Sequence, residues 1–199
     1  MRKIYFYLLI FVLIVSCNSS SKKNHPNSSD SANEVADSIK HSLTDGHQFL
    51  VKVGDIAPDF EMEFPDGKKV RLSSLRGKVV MLQFTASWCG VCRKEMPHIE
   101  RQIWQKHKDN AEFALYGVAR EESAEKIAEM REATGVTYPI GMDPHADIFG
   151  LYAEKKSGIT RNVIIDREGK IVMLTRLFDQ EEFNRMVKLI DELIANYPK

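Results

Sequence analysis

The strongest constraint on this chain is an apolar run, Val79-Val80-Met81-Leu82, continued through Gln83-Phe84-Thr85 and followed closely by Cys89-Gly90-Val91-Cys92. A run that is apolar on both faces reads as a strand covered on both sides. The residues from Arg93 to His107 then place Met96, Ile99, Ile103 and Trp104 on one side of a helix, with Trp104 read as core packing. Pro97 lies inside that helix and is expected to kink it, because its nitrogen cannot join the ladder. The two cysteines therefore sit where a buried strand hands over to a helix. Unpaired N–H groups and the macrodipole favour negative charge there. A thiol at that point loses its proton more readily, and the thiolate is the nucleophile. Two cysteines at this spacing can close a disulfide across the first turn and reopen it. The competing readings are a structural disulfide and half a zinc site with His98 as a third ligand. Zinc usually takes four protein ligands, and no second C-x-x-C exists.

The rest of the chain bounds the problem. Its 199 residues allow one ordinary domain and a tail. Lys+Arg and Asp+Glu both number 28, which argues against nucleic acid as a partner. The third cysteine, Cys17, lies in a different setting. Met1-Arg2-Lys3, the apolar stretch from Ile4 to Val15 and Ser16 read as a secretory signal. That stretch is shorter than the ~20 residues of a spanning helix. Ile14-Val15-Ser16-Cys17 resembles the lipobox of bacterial lipoproteins, and the resemblance implies cleavage before Cys17 and its lipidation. The expected organisation is a signal peptide over 1–16, a lipid-anchored tether over 17–47 and a folded domain over 48–199. Asn18 to Asp30 is rich in Ser and Asn and carries no apolar side chain, as a linker would. Ser31-x-x-Glu34 with Val35, Ile39 and Leu43 reads as a capped short helix within the tether.

Within the domain, Phe60 and Met62 alternate with acids as in a half-buried strand. Phe64-Pro65-Asp66-Gly67-Lys68 is turn chemistry, and Val70 and Leu72 form the return strand. After the cysteines and their helix come a parallel strand at Phe113–Ala119 and a helix over Glu121–Thr134. A strand then begins at Tyr138-Pro139-Ile140, and a short helix covers Ala146–Tyr152. Strands at Val163–Asp166 and Ile171–Leu174 are joined through Arg167-Glu168-Gly169-Lys170. Asp179 caps a last helix that carries Phe183, Met186, Val187, Ile190 and Ile194 on one face.

Trp88-Cys89-Gly90-Val91-Cys92-Arg93-Lys94-Glu95-Met96-Pro97 resembles the W-C-x-x-C-R/K-x-E-x-P signature of the TlpA/ResA-like thioredoxin-fold thiol–disulfide oxidoreductases. The likeness runs from about Val53 to about Ile194. It implies an α/β thioredoxin-like fold, with a mixed central sheet flanked by helices, an N-terminal β-hairpin and a strand–helix insertion. It also implies that Cys89 attacks and Cys92 resolves. Glu95, on the same helix face as Cys92, would shuttle the resolving thiol's proton if burial raised its pKa. Plain thioredoxin has an acid in the strand where this chain has Gln83, which cannot titrate. Trp88 is expected to cover the dithiol and meet the substrate chain. Gly158-Ile159-Thr160-Arg161-Asn162-Val163-Ile164-Ile165-Asp166 departs from the family pattern. Aligned on Ile164-Ile165-Asp166, the family's cis-proline falls at Thr160. A non-proline cis bond costs ~3–4 kcal/mol, so the Ile159–Thr160 bond is expected to be trans. The resemblance implies that Ile159, whose backbone position pairs with substrate in the family, and Thr160, at the position facing the C-x-x-C, contact the substrate. Arg161 reads as a surface arginine, or as a guide for an acidic partner.

The resemblance implies protein disulfides as substrates, apocytochrome c among the candidates. It also implies a membrane electron donor of the DsbD/CcdA kind and attachment to the bacterial envelope through the lipid on Cys17. No cofactor and no resident metal are called for. Two other classes stay open: a metal-capturing module using Cys89, Cys92 and His98, and a thiol peroxidase. For the last, the P-x-x-x-T-x-x-C motif has Leu82 and Ala86 in place of Pro and Thr.

Overall fold

The structure is a computed structural model and describes residues 48–196. The signal sequence, Cys17 and the tether helix expected around Val35, Ile39 and Leu43 lie outside the described residues. Seven strands form one mixed sheet: β1 (Glu61–Glu63), β2 (Lys69–Arg71), β3 (Val79–Thr85), β4 (Phe113–Arg120), β5 (Ile140–Asp143), β6 (Arg161–Ile165) and β7 (Ile171–Arg176), in the spatial order β2-β1-β5-β4-β3-β6-β7. β3 runs parallel to β4, and β4 to β5, while β6 lies antiparallel on the other side of β3. The N-terminal hairpin pairs at 61–63 with 69–71. Gly67 makes its turn possible with a φ of +80° that a β-carbon would resist.

The helices are α1 (Gly90–Ile99), α2 (Ala124–Thr134), α3 (Asp147–Tyr152) and α4 (Gln180–Ala195). Side chains alternate along β3, so the strand feeds two cores. Val80, Leu82 and Phe84 join Phe149 and Tyr152 on one face. Val79 and Met81 join Met96 and Ile99 of α1 and Phe183, Met186 and Ile190 of α4 on the other. Phe84 is fully buried, edge-on to Phe149 with ring centroids 5.5 Å apart. Its removal from water contributes roughly 2–3 kcal/mol. As expected, the Asp179 side chain caps α4, accepting from Glu182 N at 2.8 Å.

Several boundaries differ from the sequence reading. α2 begins at Ala124 rather than Glu121, because Glu121 takes a left-handed φ of 56° and Ser123 is the cap. α3 begins one residue late for the same reason, with Ala146 at φ 54°. β6 starts at Arg161, two residues early; its first two side chains are polar yet buried, which hid them from an apolar pattern. Pro97 lies inside α1, as read. The ladder continues and widens three residues later into a π-helical stretch, Glu100–Trp104, with Gln105 N bonded to Glu100 O, before a last turn at Gln105–His107. The Glu100 carboxylate supports this stretch by accepting from Thr137 N at 2.8 Å and Thr137 Oγ1 at 2.7 Å. Trp104 is half-buried and packs against the core shared by α1 and α4. Its indole N–H donates to Thr137 Oγ1 at 2.9 Å.

Candidate active site

β3 ends at Thr85, and three residues carry the chain to Cys89, the N-cap of α1. Ser87 pins that loop, donating from both its backbone N (2.7 Å) and its hydroxyl (2.6 Å) to the buried carboxylate of Glu122. Cys89 N donates to Ala86 O, and Cys89 Sγ accepts from Cys92 N at 3.2 Å. The sulfur thus receives an orphan N–H of the first turn, which favours a thiolate whenever the pair is reduced. A disulfide joins Cys89 and Cys92, with their Cα atoms 5.3 Å apart. Cys92 is fully buried. Cys89 keeps 7 % of its surface. Trp88 stands 61 % exposed.

Thr160 lies against the disulfide. Its hydroxyl is 3.2 Å from Cys89 Sγ and 3.3 Å from Cys92 Sγ. No peptide bond among the described residues is cis, so Ile159–Thr160 is trans. Ile159 is buried in the same apolar cluster as the two cysteines.

Glu95, one turn beyond Cys92, is 2 % exposed. β3 and β6 pair so that Gln83 lies opposite Asn162, and both amides reach the acid. Asn162 Nδ2 donates to Glu95 Oε1 at 2.7 Å, and Gln83 Nε2 to Oε2 at 3.4 Å. Gln83 Oε1 in turn accepts from Tyr138 OH at 2.6 Å, and Asn162 Nδ2 also donates to Thr175 Oγ1 at 2.9 Å. Burial pushes the Glu95 carboxyl up, the two amide hydrogen bonds hold it back, and the charge of Glu182 adds a further push; the result is about 7. The amide shell suits both charge states. Asn162 Oδ1 is buried with no side-chain partner, so a turned-over amide can accept from the protonated acid, while Thr175 can donate or accept.

The other expected residues fall elsewhere. The His98 ring packs on Phe178 at 4.9 Å and on Phe183 at 5.9 Å. Among the described residues no three His, Cys, Asp or Glu side chains are grouped as a metal site. Arg161 is not on the surface; it is fully buried. Sequence reasoning missed Asn162, Thr175, Tyr138, Ser87 and Glu122. For Asn162 a signal existed: an amide beside the apolar run 163–165 is unusual unless something inside needs it.

A dithiol at the start of a helix, on a four-helix, mixed-sheet frame of this kind, defines a thioredoxin-fold thiol–disulfide oxidoreductase. Residues 53–174 match the AhpC/TSA family, and the chain belongs to it. It is 31 % identical to the thiol-disulfide oxidoreductase ResA of Geobacillus kaustophilus over 70 % of this chain and 79 % of that one. It is also 31 % identical to ResA of Bacillus subtilis, over 61 % of this chain and 66 % of that one. Among solved structures, a candidate protein disulfide isomerase from Bacteroides thetaiotaomicron is 62 % identical, covers 75 % of this chain and 94 % of its own, and superposes with a TM-score of 0.73. A candidate thiol:disulfide interchange protein DsbE from Chlorobium tepidum is 26 % identical, covers 73 % and 99 %, and has a TM-score of 0.61.

Proposed function

We propose that this protein is a membrane-tethered reductase or isomerase of disulfides in bacterial envelope proteins, with Cys89 attacking, Cys92 resolving and Glu95 moving the proton between steps. The Cys89 thiolate attacks one sulfur of the substrate disulfide, and the other substrate sulfur leaves as a thiolate. Cys92 then gives up its proton, attacks Cys89 and displaces the second substrate sulfur. The substrate gains two electrons, and the enzyme is left with the 89–92 disulfide. A membrane dithiol donor of the DsbD/CcdA kind returns the electrons.

One observation carries this reading. Glu95 is buried one turn from the resolving cysteine, hydrogen-bonded only by neutral amides, with a pKa near 7. An acid so placed takes and releases a proton at working pH. Trp88, exposed beside Cys89, and the backbone at Ile159 are where the substrate chain would lie, with Thr160 between it and the sulfurs. The tether reading rests on Ile14-Val15-Ser16-Cys17 and the linker after it. No helix among the described residues is long and apolar enough to cross a membrane; the attachment proposed is lipid on Cys17.

The test is insulin reduction by the purified full chain with dithiothreitol as electron source. Acceleration that disappears in Cys89→Ser supports the reading. A Cys92→Ser variant should accumulate mixed disulfides with substrate. Wild-type rates equal to dithiothreitol alone would sink it. For the tether, Cys17→Ser should leave the membrane fraction; retention there would refute lipid anchoring.

A further inference from the structure

The turn before β6 is held by an unusual set of groups. Arg120 Nη1 donates to Ser157 O at 3.1 Å. Arg161 Nη1 donates to Gly158 O. Arg176 Nη1 donates to Thr160 O at 3.4 Å, and Leu177 N donates to the same oxygen at 3.2 Å. Three guanidiniums thus bind three carbonyls within four residues, and the last of those residues carries the hydroxyl that touches both sulfurs.

The arrangement combines costs with contacts that offset them. Arg161 and Arg176 are directly opposed across β6 and β7, and like charges so placed repel. Arg161 is fully buried, over the rings of Phe49 at 4.8 Å and Phe149 at 5.4 Å, and Arg120 lies over Phe149 at 4.7 Å. Burial first, then the charges of Arg176 and Arg120, bring Arg161 down to about 10. Leu177 takes a left-handed φ of 68° where it meets Thr160 O, which a branched side chain disfavours. Gly158 leaves the space the clamp needs: a β-carbon there would fall 2.1 Å from Arg176 Nη2. Opposed like charges and a left-handed leucine gathered around one short turn imply that the position of the turn matters.

The chemistry at the end of the turn supplies the reason. Neither sulfur of a disulfide can donate, so the Thr160 hydroxyl is the donor in the oxidised protein. A thiolate is a far stronger acceptor than a disulfide sulfur, and hydrogen bonds to charged groups are the stronger kind. Thr160 is buried and β-branched, so its hydroxyl has few places to go. We propose that Arg120, Arg161 and Arg176 act as positioning residues that clamp Ser157–Thr160, so that the Thr160 hydroxyl donates to the Cys89 thiolate in the reduced protein and sets the acidity of that thiol. This rests on the reading of Cys89 as the attacking sulfur.

Stabilising the thiolate stabilises the reduced form, so loss of the hydroxyl must raise the Cys89 pKa and lower the reduction potential. The test uses the full chain. The Cys89 pKa is read from the pH dependence of alkylation, with the labelled residue identified by mass spectrometry, and the potential from equilibration with glutathione. Thr160→Val keeps shape and removes the donor. It should raise the pKa by about one unit and shift the thiol–disulfide equilibrium about tenfold, which is about 30 mV toward reducing. Thr160→Ser keeps the donor and should lie close to wild type. Gly158→Ala displaces the Arg176 guanidinium without removing a charge. It should move the pKa in the same direction by less, and by nothing further when combined with Thr160→Val. An unmoved pKa in Thr160→Val, with wild-type labelling at Cys89, overturns the inference alone. An equal Gly158→Ala shift in the Thr160→Val background also overturns it, since the arginines would then act by charge and not through the hydroxyl. Wild-type labelling at Cys92 in preference to Cys89 overturns the nucleophile reading itself.

Discussion

On one face of β6, Asn162 points at Glu95; on the other, one residue earlier, Arg161 lies over aromatic rings and donates to Gly158 O. Both centres are polar and out of water, yet they are built on opposite principles. The acid is surrounded by amides and hydroxyls that accept either of its protonation states. The arginines are surrounded by rings and carbonyls that suit a permanent cation, and a guanidinium does not titrate in the working range. A buried group that can change charge serves proton transfer. A buried group that cannot serves geometry. On the readings proposed above, the two centres would divide those tasks around one dithiol.

This contrast can be broken at either end. The largest effect is expected at the arginine face: Arg161→Ala should cost about 4 kcal/mol of stability, since it opens a cavity in the core and releases the turn. Denaturant unfolding would measure it, and a loss below about 1 kcal/mol would mean that the clamp does not depend on Arg161. Next comes the pH dependence of the acid face. The Glu95 pKa is raised from 4.5 to about 7, so the folded protein holds a proton that the unfolded chain has lost over that window. The stabilisation contributed by Glu95 should therefore be full below about pH 4.5 and be lost as pH rises to about 7, by roughly 3 kcal/mol. Glu95→Gln should abolish that decline and be the more stable protein at pH 8; a slope unchanged in Glu95→Gln would contradict the assignment. The same variant should slow Cys92-dependent resolution of the mixed disulfide about 100-fold and remove the inflection near neutral pH from its rate profile, as read by stopped-flow. The smallest effect concerns the shell. Asn162 holds the Glu95 pKa down, so Asn162→Leu should raise it by about half a unit to one unit, visible as a shift of the same inflection to higher pH.

Much of this architecture was legible because its signals are local. The apolar run 79–85, the cysteine spacing, the cap at Asp179 and the Gly67 turn each depend on residues a few positions apart, and all four lie where the sequence puts them. That Glu95 shares a helix face with Cys92 was readable too, from its spacing; its burial was only a condition of the reading. Its partners were not. Gln83 and Asn162 meet it only because β3 and β6 pair in one particular register across about eighty residues of chain, and no pattern within either strand encodes that. Arg161 misled for a related reason. A lone arginine beside an apolar segment belongs on the surface by composition, and only its ring contacts with Phe49 and Phe149 and its bond back to Gly158 make burial tolerable. The π-helical stretch after Pro97 depends on Glu100 reaching Thr137, again a contact made in space.

The alternation of β6 also limits how the chain can change. Deleting a single residue between Arg161 and Val163, with the pairing of the rest of the strand held, would carry a cation round to the side where an amide now faces the acid. A fixed positive neighbour would lock Glu95 as a carboxylate, and the same edit would strip Gly158 of its anchor. A one-residue edit in this strand would therefore disturb both centres at once, whereas a point change at Arg161 or Asn162 touches one.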